Sequence, residues 1–170
     1  MAAQVTLRPY RSGEEGEAHL PDSEFDDFGP RPGRSVPVPC GVDADGHLAV
    51  VVDDVVVGDL GWHWVHWGPN RASWCPMLGI SLAPEHRGMG YGTEAQRQAV
   101  DLLFRATTVN RIEAHTDVGN VAEQRALTKA GFTSEGVIRG GQWRDGAYRD
   151  GFLFSILRDE WAAGSGPAPS

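Results

Sequence analysis

A mixed α/β fold of six or seven strands flanked by helices is predicted by three features of the chain. Short runs rich in branched residues alternate apolar and polar side chains, as half-buried strands do. One of them, Leu78-Gly79-Ile80-Ser81-Leu82, leads through a glycine-rich turn into a long segment of helical period. Strand and helix patterns then interleave to near the C-terminus, the order of a mixed sheet. The 170 residues suit one domain with a sizeable core, expected over residues 1–163, with 164–170 as a disordered tail.

In chain order, Val5 to Pro9 alternates and ends at proline, which suits an edge strand. Residues 11–39 break the pattern. Glu14 to Asp27 holds seven acidic residues and no Lys or Arg, and Gly29 to Pro39 is punctuated by four prolines. A short helix near Glu14 to Leu20 is the one element expected there; the rest reads as a solvated loop or a substrate lid. His47 to Val52 and Val55 to Trp64 flank Asp53-Asp54 and form an antiparallel hairpin. The second strand carries on as Gly61-Trp62-His63-Trp64-Val65-His66-Trp67, with Trp62, Trp64 and His66 on one face. Its tryptophans either pack the core or line an acceptor pocket.

After the loop Gly68 to Ala72, a strand runs from Ser73 to Leu82 and a turn from Ala83 to Met89. From about Tyr91, Ala95, Ala99, Leu102, Leu103 and Ala106 recur at three-, four- and seven-residue spacing, an amphipathic helix. Arg111 to Thr116 is a strand. Val121 to Ala130 is a helix with Asn120 as N-cap and Gly131 as its stop. Thr133 to Arg139 and Tyr148 to Leu157 are the last strands, joined by the Gly-rich stretch 140–146.

Charge and composition exclude several classes. With 15 basic and 23 acidic residues the net charge is -8, which disfavours a nucleic-acid backbone and suits a cationic partner. Cys40 and Cys75 lie in no metal-ligand or CxxC spacing, so no metal is expected. No signal peptide and no membrane-length apolar run is apparent, so the expectation is a cytoplasmic protein with no membrane partner.

The chemistry concentrates at the strand–turn–helix junction. The first amides of a helix lack intrahelical acceptors and stand at the positive end of its dipole. Glycines there let an anionic group approach bare backbone, and Arg87 adds a fixed charge. The stretch Arg87-Gly88-Met89-Gly90-Tyr91-Gly92-Thr93 suits a diphosphate. It ends in no Gly-Lys-Ser/Thr and contains no GxGxxG, so neither a P-loop nor a dinucleotide site is indicated.

What the spacing matches is Arg-x-x-Gly-x-Gly. Here the sequence resembles the GNAT superfamily of acyl-CoA-dependent N-acetyltransferases, whose signature is Gln/Arg-x-x-Gly-x-Gly/Ala. The likeness continues through Asn110-Arg111-Ile112-Glu113-Ala114, Asn120 to Leu127, Lys129-Ala130-Gly131-Phe132 and Glu135-Gly136, and covers Val55 to Trp161. It is similar to the branch containing the Rim-type, ribosomal-protein N-terminal acetyltransferases.

The resemblance implies a GNAT-like sheet with a splayed pair of central strands, and acetyl-CoA as co-substrate. It implies that the loop from Arg87 to Thr93 holds the diphosphate, that Ile80 and Leu82 offer backbone groups to the pantetheine arm, and that Asn120 contacts that arm. Asn120 equally fits a capping box with Glu123. Glu113 aligns with a carboxylate used as general base by some Rim-type relatives, and His115, His63, His66, Glu85 and His86 are the other candidates. The family acid two residues before the strand glycine is replaced by Met77, and the proton-donating serine of an Asn-x-x-Ser variant by Glu123. Tyr148 is then the candidate acid.

The expected reaction is direct acetyl transfer in a ternary complex, since neither cysteine sits in a Cys-His-acid pattern. The acceptor is a protein N-terminus or a small cationic amine, the latter favoured by the acidic segment and the tryptophans. A homodimer is compatible with this reading. The competing class is an acyl-CoA-binding module or sensor without turnover.

Overall fold

A computed structural model describes residues 3–14, 24–25 and 44–164. Seven strands form one sheet in the order β1-β2-β3-β4-β5-β7-β6. They are β1 (Val5–Arg8), β2 (Gly46–Val52), β3 (Val55–His66), β4 (Trp74–Leu82), β5 (Arg111–Asp117), β6 (Thr133–Arg144) and β7 (Ala147–Leu157). All neighbours are antiparallel except β4 and β5, which run parallel. That one parallel step needs a crossover, supplied by α1 (Tyr91–Ala106). Helix α2 (Val121–Ala130) links β5 to β6, and α3 (Arg158–Gly164) follows β7.

The core lies between the sheet and α1 and α2. Leu48, Val50, Leu60, Trp62, Leu78, Ile112, Ala114, Phe154 and Ile156 meet Ala95, Ala99, Leu103, Phe104 and Leu127 there. Alternation along each strand sends the intervening residues to the opposite face. Trp62 is thus a core residue, with its Nε1 donating to the Ala44 carbonyl at 2.8 Å.

The Asp53-Asp54 hairpin forms as expected, with both residues at positive φ (48° and 66°), as a two-residue primed turn requires. The β6–β7 hairpin differs from expectation. Strand β6 continues through the glycine-rich stretch to Arg144, and the turn is Asp145-Gly146, both at positive φ. Register shifts between Ser134 and Gly136 and between Ile138 and Gln142 absorb the extra residues as bulges.

Helix α3 was not anticipated. Its Arg158 donates from Nη1 to the Phe104 carbonyl (2.9 Å), from Nη2 to Thr107 (2.8 Å) and from Nε to Val109 (2.8 Å), closing the C-terminal end of α1. Trp161 packs on Phe104 with ring centroids 5.3 Å apart. Of the tail expected over 164–170, Gly164 ends α3 and 165–170 lie outside the described residues; so do Cys40 and all of the helix expected near Glu14 to Leu20 except Glu14, which is in no regular element.

Candidate functional site

Strands β4 and β5 are joined by only two residue pairs, Met77 with Glu113 and Leu78 with Ala114. Beyond them, Gly79 to Leu82 of β4 and His115 to Asp117 of β5 part, leaving a gap that widens toward the C-terminal ends of both. Among the described residues no strand pairs with the gap edge of β4 there. The open end leads through a 3-10 turn, Pro84–His86, to the start of α1.

That start is bare. Gly90 is the N-cap in the left-handed region (φ 85°), with no side chain capping the helix, and Gly88 also has positive φ (74°). A Cβ added at either would meet nothing within 4 Å. Only glycine combines this backbone with an unobstructed approach to helix amides. The Arg87 Nε donates to the Leu82 carbonyl at 2.8 Å, which pins a guanidinium to the last residue of β4 beside the turn. Uncapped N–H groups, the positive helix end and this arginine together fit a diphosphate.

The remaining members of the predicted loop fall around this point. Met89 is exposed, Tyr91 packs against the core, and Thr93 is half-buried in the first turn of α1. Gly92 lies where a Cβ would touch Leu82 Cδ1 at 3.5 Å and Ile80 Cδ1 at 3.8 Å, so it brings α1 close to β4. The side chains of Ile80 and Leu82 are used in that packing. Asn120 caps α2, its Oδ1 accepting from Glu123 N at 3.2 Å. The return bond of a capping box is not made, because the Glu123 carboxylate turns instead to Gln96 of α1. Burial pushes the Glu123 carboxyl up to about 7 against the opposing effect of that hydrogen bond.

The two predicted catalytic residues are far apart in the sheet. Glu113 is fully buried at the closed end of the gap. Its Oε1 accepts from Trp67 Nε1 at 2.6 Å and from Arg111 Nε at 2.5 Å, while Oε2 has no hydrogen-bond partner. Arg111 also holds Glu135 through two 2.5 Å bonds, and Glu135 accepts from Ser155 Oγ at 2.7 Å. Tyr148 stands at the end of the β6–β7 hairpin, 73% exposed, edge-on to Trp143. The buried Cys75 thiol lies beside the Glu113 carboxylate, and burial and that charge push it up to about 12, far from a nucleophilic thiolate. Cys40 lies outside the described residues.

Two further groups share the sheet face opposite α1. The His115 ring leans over β7: a Cβ on Gly151 would sit 2.2 Å from its Cε1 and Nε2. Desolvation first, then Arg144, lowers its pKa, and Asp117 partly offsets them. Arg144 is itself buried and bound to Asp117. On the other side of the gap, Asp59 Oδ1 accepts from Tyr10 Oη at 2.8 Å and meets His47 Nδ1 at 3.0 Å. Sequence reasoning missed this trio, because Tyr10, His47 and Asp59 come from separate segments and only strand register unites them. Of the acidic segment, Glu14 is spent on Arg8 (2.7 and 2.8 Å), which with the Arg11 N–H holds its carboxyl at about 2; Asp22, Asp26 and Asp27 lie outside the described residues. Among the described residues no cluster of His, Cys, Asp and Glu is arranged to hold a metal ion, and no helix is long and apolar enough to cross a membrane.

This geometry has counterparts among known proteins. An uncharacterized N-acetyltransferase, p20, of Bacillus licheniformis is 30% identical over 115 residues, 68% of this chain and 62% of that protein. The spermidine N(1)-acetyltransferase of Vibrio cholerae is 28% identical over 82 residues, 48% of this chain and 47% of that protein. The structure of Mycobacterium smegmatis RimJ in complex with CoA-disulfide superposes with a TM-score of 0.61 at 26% identity, covering 71% of this chain and 60% of RimJ. The chain thus spans less than two thirds of the length of these relatives. Residues 40–133 match the acetyltransferase (GNAT) domain. With the parted β4–β5 pair and the glycine-lined start of α1, that match covers the region that defines the fold, and the chain belongs to the GNAT acetyltransferase family.

Proposed function

We propose that the chain is an acetyl-CoA-dependent N-acetyltransferase acting on a primary amine by direct attack in a ternary complex. The observation that carries this reading is the uncapped, glycine-lined N-terminus of α1 at the mouth of the β4–β5 gap. The residues from Arg87 to Thr93 would hold the diphosphate, and the free edge of β4 at Ile80 would pair with the pantetheine arm. The Leu82 carbonyl is already engaged by Arg87, so Leu82 contributes less than the family pattern implies. Asn120 borders the other side of the gap. The coenzyme supplies an activated acetyl carbonyl; the protein supplies position and a path for protons.

The acceptor is a protein N-terminus or a small cationic amine. Likeness to RimJ favours the first, and likeness to a spermidine acetyltransferase together with the net charge of -8 favours the second. A cytoplasmic setting fits an enzyme drawing on an intracellular metabolite. Glu113, buried and bound by two donors, is better placed to hold the closed end of the gap than to touch the amine, and Tyr148 stands on the far hairpin. The second reading, an acyl-CoA-binding module, draws on the same observation and on Met77 in place of a carboxylate. Purified protein with acetyl-CoA and a panel of amines, read by thiol release, separates the two. Thiol release that depends on an amine is the expected result; acetyl-CoA binding without release from any amine favours the module.

A further inference from the structure

We infer that His47, oriented by Asp59, is the proton acceptor for the incoming amine, reached along a trough whose floor is Gly61 and Gly79. This deepens the acetyltransferase reading and rests on it.

The trough follows from strand register. His47 on β2 pairs with Gly61 on β3, and Gly61 pairs with Gly79 on β4. The β4–β5 ladder stops one position earlier, at Leu78 and Ala114, so Gly79 lies where the strands begin to part. The flanking residues Trp62 and Leu78 send their side chains into the core, which puts this row on the face away from α1. Two successive strands thus present no side chain between His47 and the gap. Gly79 is exposed, and a Cβ there would meet nothing within 4 Å. A Cβ at Gly61 would lie 3.4 Å from His47 Cβ and 3.9 Å from Asp59 Oδ2, which places both side chains along the same row. Neither glycine has the positive φ that would require it for the backbone. Gly79 leaves open space; at Gly61 an added Cβ would also lie 3.3 Å from the Gly46 carbonyl oxygen, so that glycine keeps the row free of a side chain and lets β2 and β3 approach closely.

His47 stands at the end of this space, two strands from β4 and ~10 Å away at ordinary strand spacing, a span that a chain of two or three bridging waters covers at about 2.8–3 Å per hydrogen bond. Asp59 Oδ1 at 3.0 Å from Nδ1 sets the tautomer: in the neutral ring Nδ1 carries the hydrogen and Nε2 the lone pair. Tyr10 Oη, donating to the same oxygen at 2.8 Å, holds the carboxylate in place. Among the described residues Asp59 from β3 and Tyr10 from the β1 side touch the His47 ring, the Arg8–Glu14 pair lies on that β1 side, and His63 of β3 and Asp45 before β2 are the further titratable groups of neighbouring positions. His115, across the gap, is no rival, since its ring lies over Gly151 and away from β4. Asp59 is a positioning residue; His47 is the catalytic one.

The proton balance closes. The acceptor ammonium gives one proton to His47 Nε2. The freed lone pair forms the C–N bond to the acetyl carbon as the C–S bond breaks with its electron pair on sulfur. The second amine proton goes to that thiolate, and His47 returns its proton to solvent.

The test uses the full chain with His47→Gln, His47→Asn and Asp59→Asn. Acetyl-CoA binding is followed by thermal shift, and turnover by thiol release with spermidine and with an alanine-initiated hexapeptide. Expected are acetyl-CoA shifts like wild type in all three variants, a fall in kcat of ~100-fold for both His47 variants with loss of the acidic limb of the pH–rate profile, and a smaller fall for Asp59→Asn. Imidazole ¹⁵N NMR of the protein alone is expected to show the Nδ1–H tautomer, and its loss in Asp59→Asn. His47 variants that bind acetyl-CoA and keep kcat within about threefold, or a wild-type ring in the other tautomer, overturn the inference and leave the acetyltransferase reading standing. Wild-type protein that binds acetyl-CoA but acetylates neither acceptor also removes the amine trough. Wild-type protein that does not bind acetyl-CoA overturns both.

Discussion

Trp67 Nε1 donates to Glu113 Oε1 at 2.6 Å across the point where β4 and β5 are joined by two residue pairs. The bond runs from the loop end of β3 to the centre of β5, so it ties the two halves of the sheet where their backbone ladder is shortest. Its acceptor is a fully buried carboxylate whose other partner is Arg111.

Loss of that tie is the first prediction. Trp67→Phe removes a hydrogen bond to a charged group and is expected to cost about 1.5–3 kcal/mol in urea unfolding. Glu113→Gln is expected to lower stability as well and to raise the KM for acetyl-CoA, with the acidic limb of the pH–rate profile unchanged. A fall in kcat of ~100-fold with that limb flattened would instead make Glu113 the base.

The phosphate-binding turn gives the second. Saturating acetyl-CoA is expected to stabilise the wild type, by about 2.7 kcal/mol at a hundredfold excess over Kd. Gly90→Val places a branched side chain at φ 85° in the space facing the uncapped amides. The ligand-induced shift in Tm is expected to vanish in this variant. An undiminished shift would move the coenzyme away from the start of α1.

Glu123 supplies a pH test. Its carboxyl is raised by burial from 4.5 to about 7. The folded state therefore binds the proton more tightly than the unfolded chain. The stabilisation from this group is complete below pH 4.5 and is lost as pH rises through 7. The difference between 4.5 and about 7 corresponds to about 3 kcal/mol between those limits. Glu123→Gln mimics the protonated form, and its stability is expected to be flatter between pH 5 and 8, exceeding wild type at pH 8. Chemical denaturation across that range measures both.

Arg158 is the structural counterpart. Three carbonyls, at Phe104, Thr107 and Val109, accept from its one guanidinium. Arg158→Ala strands acceptors at the end of α1 and removes a charge that complements the helix dipole, so a loss of about 2–4 kcal/mol is expected. Lysine is expected to recover only part of it, because it cannot fork to three acceptors. Unfolding midpoints of the two variants give the comparison.

Much of this fold was legible in the chain because local signals agreed with it. Alternation marked the strands, Asp53-Asp54 marked a hairpin, and Asn120 and Gly131 bracketed α2. The β6–β7 hairpin was misread because Gly140, Gly141 and Gly146 look like a loop, whereas bulges let a strand carry the first two. Helix α3 is not legible because seven residues give too short a period to read; its Arg158 and Trp161 find partners 49 or more residues away in sequence. At the site, the phosphate turn was readable because its residues are contiguous. The burial of Glu113 and the exposure of Tyr148 were not, since both depend on which strands become neighbours. The row His47, Gly61, Gly79 exists only in the assembled register, and no spacing in the sequence announces it.

The two-pair junction between β4 and β5 also has a mechanical meaning. Strands β1 to β4 and strands β5 to β7 form two plates, each laced by antiparallel ladders, that share an edge two residues wide. Bending about Leu78 and Ala114 changes the angle between the plates and leaves every other ladder unbroken. Room for a bulkier acyl chain in the gap would then be made by rotation at this narrow waist, at the cost of straining two residue pairs and the indole bond that spans them.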